Sequence, residues 1–370
     1  MEINRRSFCQ LLAAAGTASL LPTNGLSATE SNQVAFASAA KSNDGSYWLA
    51  VTNNQGREIA RHKLPGRGHH IAVHPTKPHV AAIARRPDTF LQIFDYDSGR
   101  LVADLQAGDD RHFYGHCVFS HDGQFLISTE NQLSTGQGRV VVRDCHQHYR
   151  IVADFSSGGI GPHELVLTPD QQQVVVANGG IRTQGRKKLN LDTMRPNLSY
   201  LDLNTGTLLE QIEMPEQFHQ LSIRHIDINS TGTVAIALQY QGALEDDVPL
   251  VALHRRGEQL QLLRAPQMIN QQMKQYCGSA RFDSSGEVVA ISAPRGDLIT
   301  FWEESSGQFI DHIRSRDGCG ITATGNPAEF LVTTGTGKAY LMNPRSGLRN
   351  RQPLTLETPM SWDNHLSAVS

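Results

Sequence analysis

The sequence predicts an all-β protein, a seven-bladed β-propeller closed by pairing of its C-terminal strand with its N-terminal blade. Three observations predict it. A pattern of apolar segments recurs with a period of about 45 residues, which is typical of propeller blades. Each repeat contains four short strands separated by Gly-rich turns. The first repeat lacks one strand, and a matching strand stands at the other end of the chain.

Each repeat opens with a short apolar strand, a turn with Pro, Asp, Asn or Gly, and a second apolar strand. The clearest copy spans residues 70–75 and 80–84. The other copies open at positions 116, 163, 225, 279 and 320. Two further strands follow in each repeat, joined by turns such as Asp97-Ser98-Gly99. Four β-branched, alternating strands per unit are expected to form one propeller blade.

The two ends of the chain complete the count of blades. Residues 34–64 contain only three strands, and residues 365–369 supply a segment that matches residues 70–73 almost position for position. A last strand that pairs with the first three would remove the open sheet edges of the ring. The sequence therefore predicts seven blades.

The N-terminus has the layout of a twin-arginine export signal. Arg5 and Arg6 precede a mild apolar run over residues 11–21, which is too short to span a bilayer. We expect residues 1–28 to be a signal peptide and residues 29–370 to form the propeller in the periplasm. This export route carries folded proteins, often because a cofactor was loaded in the cytoplasm. No other segment is long and apolar enough to cross a membrane.

Composition excludes several classes of function. The chain has 370 residues and a formal net charge of −3, with no basic stripe for nucleic acid. A C-x-x-C-H motif for covalent haem is absent, as are the G-x-S-x-G and H-E-x-x-H motifs. After the signal there are four cysteines, and no spacing dictates whether or how they pair: Cys117, Cys145, Cys277 and Cys319.

Aligning the blades brings histidines to one point, the beginning of the innermost strands. Sixteen histidines in 370 residues would place roughly 0.3 of them at seven random positions. The alignment instead places there His70, His116, His163, His225 and His365. Glu164 competes with His163 for its position, and we expect one of the two to face the channel while the other turns away. Histidines that merely cap strands are the competing interpretation.

Imidazoles that converge on an axis indicate a site for a transition metal, such as iron or copper, or for haem iron. Loops joining the second and third strands should surround the same mouth, and long polar loops on a rigid scaffold often bind ligands. Arginines recur there and could pair with carboxylates of a haem or a chelator. The candidate ligand-binding residues are Glu164, Arg85, Glu130, Asn178, Arg182, Tyr240 and Arg295.

Several short motifs resemble one bacterial family. They are the twin-arginine start, Gly68-His69-His70, Tyr114-Gly115-His116, Gly161-Pro162-His163-Glu164 and Ala177-Asn178-Gly179-Gly180-Ile181. Together they resemble the uncharacterised domain-of-unknown-function family numbered fifteen-thirteen. The resemblance implies a periplasmic protein encoded near imelysin-like proteins and a di-haem oxidoreductase, hence a part in iron uptake with such partners. It implies no established activity and no site residues.

Three functions remain open from the sequence. The first is a metal- or haem-binding periplasmic protein that serves iron acquisition. The second is a metal-dependent enzyme on the same face, either redox or lactonase-like, although an inner ring richer in imidazole than in carboxylate disfavours calcium. The third is a non-catalytic scaffold that binds a protein partner.

Overall fold

The computed structural model describes residues 34–86, 88–185, 187–346, 351–358 and 360–369. The predicted signal peptide, residues 1–28, lies outside these residues. Seven four-stranded antiparallel sheets make up the described chain, together with one two-stranded hairpin. The predicted seven-bladed propeller is therefore confirmed. In the described residues no helix is long and apolar enough to span a membrane.

Each blade begins with an inner strand at the channel and ends with an outer strand at the rim. In that order, blade 1 consists of β30 (Ser361–Ala368), β1 (Val34–Lys41), β2 (Tyr47–Asn53) and β3 (Glu58–Leu64). Blade 2 consists of β4 (Gly68–Val73), β5 (His79–Ala84), β6 (Phe90–Asp95) and β7 (Arg100–Gln106). Blade 3 consists of β8 (Arg111–Phe119), β9 (Phe125–Gln132), β10 (Gln137–Asp144) and β11 (Arg150–Ile160). Blade 4 consists of β12 (Pro162–Leu167), β13 (Gln173–Asn178), β16 (Asn197–Asp202) and β17 (Leu208–Glu213).

The other three blades follow the same plan. Blade 5 consists of β18 (Leu221–Ile228), β19 (Thr233–Tyr240), β20 (Val251–Arg255) and β21 (Gln261–Leu263). Blade 6 consists of β22 (Ser279–Phe282), β23 (Val288–Ala293), β24 (Leu298–Glu303) and β25 (Phe309–Arg314). Blade 7 consists of β26 (Gly318–Ala323), β27 (Phe330–Thr334), β28 (Ala339–Met342) and β29 (Gln352–Leu354). The helical pieces are short: the α-helix Gln267–Gln272 and the 3₁₀ turns Leu191–Thr193, Glu216–Phe218 and Pro294–Gly296.

The ring is closed by the C-terminal strand. β30 pairs with β1, so that Phe36 lies opposite Ala368 and Ser38 opposite Leu366. On its other sides β30 packs against β26 of the last blade and β4 of the second. The predicted closure is therefore present. Because β30 pairs along β1, the innermost place of the first blade is filled and no channel-facing edge is left open there.

In blades 2 and 5 the turn after the inner strand is held by one side chain. In blade 5, Asn229 Oδ1 accepts the backbone N–H groups of Thr231 and Thr233. In blade 2 the same task falls to His74, whose Nδ1 accepts two backbone N–H groups while its Nε2–H donates to the carbonyl of Gly123. Gly123 has a φ of +69°, and a Cβ there would lie 2.3 Å from the imidazole. The neutral imidazole of His74 thus joins blade 2 to blade 3.

A long connection in blade 4 reaches over the channel mouth. It carries the hairpin of β14 (Thr183–Gln184) and β15 (Lys187–Lys188), which we call the mouth hairpin. Arg86 of blade 2 donates to Thr183 Oγ1 over 2.9 Å, and Lys188 donates to Gln241 of blade 5. The mouth hairpin therefore links blades on both sides of its own and covers the end of the channel where the inner strands begin.

Candidate metal centre

The inner strands are irregular where they begin. The register with the neighbouring strand shifts in every described inner strand except β22. In β12 the shift falls between Pro162 and Glu164, and in β18 between Ile223 and His225. A β-bulge places an extra residue in one strand and re-aims side chains at that point. These bulges lie at the positions of the predicted histidines.

In blade 4 the bulge brings both candidate residues inward. The ring of His163 lies 4.6 Å from that of His225, and the Glu164 carboxylate accepts a hydrogen bond from His225. The expectation that one of the two would turn away was wrong, because strict alternation of side chains does not hold across a bulge.

The imidazoles meet at the axis of the ring. Ring centroids lie 4.5 Å apart for His116 and His365, 4.7 Å for His225 and His365, and 5.1 Å for His116 and His163. His116, His225 and His365 are each 1% exposed, and Glu164 is 3% exposed. These groups come from blades 1, 3, 4 and 5. The ring therefore gathers four distant parts of the chain into one buried cluster.

Two sets of these side chains have the spacing of metal ligands. In the first, one ligand atom each from His116, Glu164, His225 and His365 lie within 4.8 Å of one another. The second set comprises His69, His116 and His163. His116 belongs to both. A metal ion with metal–nitrogen bonds of about 2.0–2.1 Å would require only small movements of such groups.

In blade 2 the side chains of the adjacent residues His69 and His70 point to different places. His69 points to the centre, with its ring 4.6 Å from that of His365. His70, the residue selected by the sequence alignment, stacks on His116 at 5.0 Å and lies 3.5 Å from Ser367 Oγ. It belongs to neither ligand set among the described residues. The bulge between Gly68 and His70 explains why His69, and not His70, points to the centre, since it shifts the register by one position.

Glu164 is the one carboxylate of the two ligand sets. Its Oε2 accepts the Nδ1–H of His225 at 3.0 Å and the backbone N–H of Ile226 at 3.2 Å. Its Oε1 lies 3.4 Å from both His116 Nδ1 and Arg281 Nη1. Because a carboxylate only accepts, His225 must carry its proton on Nδ1 and keep the lone pair of Nε2 free for a ligand.

Burial disfavours the charged form of four imidazoles of the cluster, while its carboxylate stays ionised. Burial lowers the pKa of His69, His163 and His365 well below the usual range. The cation Arg85 adds to this effect at His69, and Arg224 adds to it at His163. Burial lowers the pKa of His225 to about 4, although Glu164 acts in the opposite direction.

For Glu164 burial acts to raise the pKa, but His116 and Arg281 overcome it and hold the pKa well below its usual value. A neutral imidazole and an ionised carboxylate are the forms that bind metal ions.

Many nitrogens of the cluster are buried without a partner. Neither nitrogen of His116 or of His365 has a partner in hydrogen-bond geometry, with Glu164 Oε1 lying 3.4 Å from His116 Nδ1, and the Nδ1 atoms of His70 and His163 also lack one. An unsatisfied buried polar group costs about 1–3 kcal/mol. Six such atoms around one point are a costly arrangement for a structural core, whereas a bound cation would satisfy several of them at once.

Two of the predicted loop residues lie at this mouth. Arg85 Nη1 lies 3.5 Å from His69 Nδ1 and 4.0 Å from Asp363. Arg295 stands 4.0 Å above the ring of Tyr276 and is exposed. Arg85 thus contacts the histidine cluster, whereas the contact of Arg295 is with Tyr276.

Two others are held within the sheets, Glu130 inside blade 3 and Asn178 between blades 3 and 4. Glu130 is buried and pairs with Arg143 at 2.6 Å and with Arg111 at 3.4 Å. Asn178 is buried too and donates to the carbonyl of Ser157 and to Asn197 Oδ1. Their polar atoms are used to join strands, which places them outside the histidine cluster.

Arg182 and Tyr240 have only local contacts. The Arg182 side chain is exposed, and a Cβ on Gly136 would lie 3.0 Å from its Nε. The Tyr240 hydroxyl donates to Asp246 at 2.7 Å. The structure does not bring either residue to the imidazoles.

Sequence reasoning missed three residues of the centre. His69 could have been found, because it stands beside His70 in the doubled histidine. Arg281 lies two residues into β22, and Tyr114 packs its ring 6.1 Å from His163. The repeat register carried no signal for these two.

The four cysteines are free thiols in the structure. Cys117, Cys277 and Cys319 are buried, and Cys145 is half-buried. Burial raises the pKa of Cys117, Cys145 and Cys277 to about 12. None of the four belongs to the candidate ligand sets among the described residues.

Comparison with known proteins places the chain among solved propeller-like structures. Hydrazine synthase of Kuenenia stuttgartiensis superposes with a TM-score of 0.62, covering 86% of this chain and 95% of that chain at 12% sequence identity. At that identity the likeness shows the fold alone. No curated protein matches the sequence. A family model described as "Protein of unknown function (DUF1513)" matches residues 62–369. The chain therefore belongs to the DUF1513 family.

Proposed function

We propose that this protein is a periplasmic carrier of a single transition-metal ion, with iron as its metal, and that it serves iron acquisition. The observation that carries the proposal is the set of six unpartnered imidazole nitrogens buried beside an ionised carboxylate. Imidazoles with one carboxylate are the ligands of non-haem iron(II) sites, while the thioether and thiolate groups that select copper(I) are missing from both described sets.

An ion fits this centre better than haem does. The ring centroids of the neighbouring imidazoles lie 4.5–5.6 Å from that of His116, so the rings contact it directly. No gap separates them in which a porphyrin plane could lie. A single ion needs only that the lone pairs converge, and four groups already converge within 4.8 Å.

Export of a protein that has already folded is consistent with such a buried site. The ligands are at most 5% exposed, and the mouth hairpin covers the entrance. Metal loaded during folding in the cytoplasm would leave by the twin-arginine route, which carries folded proteins. We further propose imelysin-like or di-haem periplasmic proteins as partners, on the strength of the family resemblance.

Metal analysis of protein purified from the periplasm tests the proposal. We expect about one iron per chain by inductively coupled plasma mass spectrometry, and no Soret band in the optical spectrum. The double variant His116→Ala, Glu164→Gln removes ligands of the centre and should lose the metal. His146→Ala is the matched control, because that imidazole is exposed on the outer part of blade 3.

Three outcomes would count against the proposal. A Soret band would replace the ion with haem. Stoichiometric copper or zinc would keep the centre and refute iron. Failure to bind any of iron(II), copper(II) or zinc(II), in protein from the periplasm and after reconstitution, would refute the metal centre altogether.

A further inference from the structure

A group of cations stands above the histidine cluster. Arg224 directly precedes His225 at the bulge of β18, and its Nε is buried without a hydrogen-bond partner. The Arg224 side chain as a whole is half-buried. A guanidinium with this environment is short of a negatively charged neighbour.

Two further cations share that environment. Arg86 donates to Tyr114 Oη at 3.1 Å and to Thr183 of the mouth hairpin. Burial lowers the pKa of Lys188, and Arg224, Arg295 and Arg86 act in the same direction. The three side chains therefore repel one another across the mouth.

Carboxylates do not balance these charges. Within the described residues, none of Arg86, Lys188 and Arg224 forms an ion pair within 4 Å, although nineteen such pairs occur elsewhere. Arg281 and Arg85, their counterparts in the same region, face Glu164 and Asp363. Lys188 is exposed and Arg86 and Arg224 are half-buried, so three like charges gather at the mouth without a carboxylate beside them. Such a grouping is unfavourable unless a ligand neutralises it.

The cations lie next to the upper imidazoles of the centre. Tyr114, which accepts the hydrogen bond of Arg86, packs its ring 6.1 Å from His163. Arg224 directly precedes His225, whose ring lies 4.6 Å from that of His163, and Arg85 Nη1 lies 3.5 Å from His69 Nδ1. An anion bound between Arg86, Arg224 and Lys188 would thus lie over His69 and His163.

We propose that Arg86, Arg224 and Lys188 form a binding site for a small polyanion, one with two or more carboxylate or phosphate groups, at the mouth above the metal centre. Guanidinium groups bind such oxyanions through paired N–H donors, and the lysine adds a point charge. The molecule that accompanies the metal would therefore be such a polyanion. The site rests on the proposed function for that role alone, since the cations would bind the anion without a metal.

Isothermal titration of the purified protein with citrate and with pyrophosphate tests the site. At least one of the two should bind with one anion per chain, and the tighter of them assigns carboxylate or phosphate as the source. Arg224→Gln should weaken binding by about tenfold or more, as should Lys188→Gln, because each removes a charged hydrogen-bond donor. Arg100→Gln, which removes an exposed arginine from the outer strand of blade 2, should leave binding unchanged.

Thermal melting separates a binding role from a structural one. Without anion, Arg224→Gln should melt at or above the wild-type temperature, since it removes a half-buried charge that has no ion-pair partner. Citrate or pyrophosphate should raise the melting temperature of the wild type more than that of the variant. A lower melting temperature without anion, with unchanged affinity, would assign Arg224 to the fold and overturn the proposal.

The metal and anion proposals can fail separately. The variant His116→Ala, Glu164→Gln should still bind the anion, and Arg224→Gln should still bind metal. If neither citrate nor pyrophosphate binds to the wild type, whether metal-free or metal-loaded, the anion site is refuted, whatever the metal content.

Discussion

Removal of the closing strand should abolish the folded ring. A chain ending at Thr358 lacks β30, which supplies the innermost strand of blade 1 and packs against β4 and β26. The truncation would leave β1 with an unpaired inner edge and would expose the faces of the two neighbouring blades. Open edges of this kind favour pairing between molecules.

The loss can be worked out from the buried side chains. Met360, Trp362 and Leu366 are 3%, 4% and 1% exposed, and they pack with Phe36 in one apolar cluster. Burying each such side chain contributes about 1.5–3 kcal/mol, so together they contribute roughly 5–9 kcal/mol. The whole folding free energy of a domain is only about 5–15 kcal/mol. The truncated chain should therefore be largely unfolded or aggregated.

Size-exclusion chromatography and thermal melting by circular dichroism measure the effect. A graded version is Leu366→Ala, which should cost about 2–5 kcal/mol in urea unfolding, since it leaves a cavity beside Phe36. Leu101→Ala is the control, because Leu101 is 49% exposed and its loss should change stability by less than about 0.5 kcal/mol. A truncated protein that stays monomeric with an unchanged melting transition would refute this account of closure.

Three further predictions concern acid stability, thiols and export. Burial lowers the pKa of His74 to about 4, so below pH 6.5 the unfolded chain takes up a proton that the folded protein excludes. Wild type should therefore lose about 1–2 kcal/mol more than His74→Asn between pH 7.5 and pH 5 in urea titrations, and an equal loss in both would contradict the role of His74. The four cysteines of residues 29–370 should resist alkylation in the native protein and all react after denaturation without reductant; mass spectrometry showing a disulfide would oppose this. Replacing Arg5 and Arg6 together by Lys should leave precursor in the cytoplasm on fractionation, whereas undiminished periplasmic protein would argue against the twin-arginine route.

The fold could be predicted because each blade repeats the same sequence pattern. Apolar strands and Gly turns recur with the blade, and the unpaired segment around His365 matches the start of β4. Equivalent positions in a closed ring must lie on one circle, so the alignment of blades also predicted that His116, His225 and His365 would meet. Local sequence was sufficient where geometry followed from repetition alone.

The remainder depended on features that repetition does not encode. A bulge exchanges His69 for His70 and turns both His163 and Glu164 inward, and neither change alters the apolar pattern of the strand. Glu130 illustrates the reverse error. It lies at the expected end of its strand, but its partner Arg143 on β10 holds it within blade 3.

Closure of the ring and binding at its centre are parts of one equilibrium. His365 is supplied by the closing strand, while Glu164 and His225 come from blades 4 and 5, in the middle of the chain. The first ligand set, which includes His365, therefore exists only when β30 is docked. A metal that binds the complete set stabilises the docked strand by the same free energy with which docking favours metal binding, as linkage requires. The unpartnered imidazoles destabilise the metal-free ring. With metal bound, they become the contacts that hold the closing strand β30 to blades 3, 4 and 5.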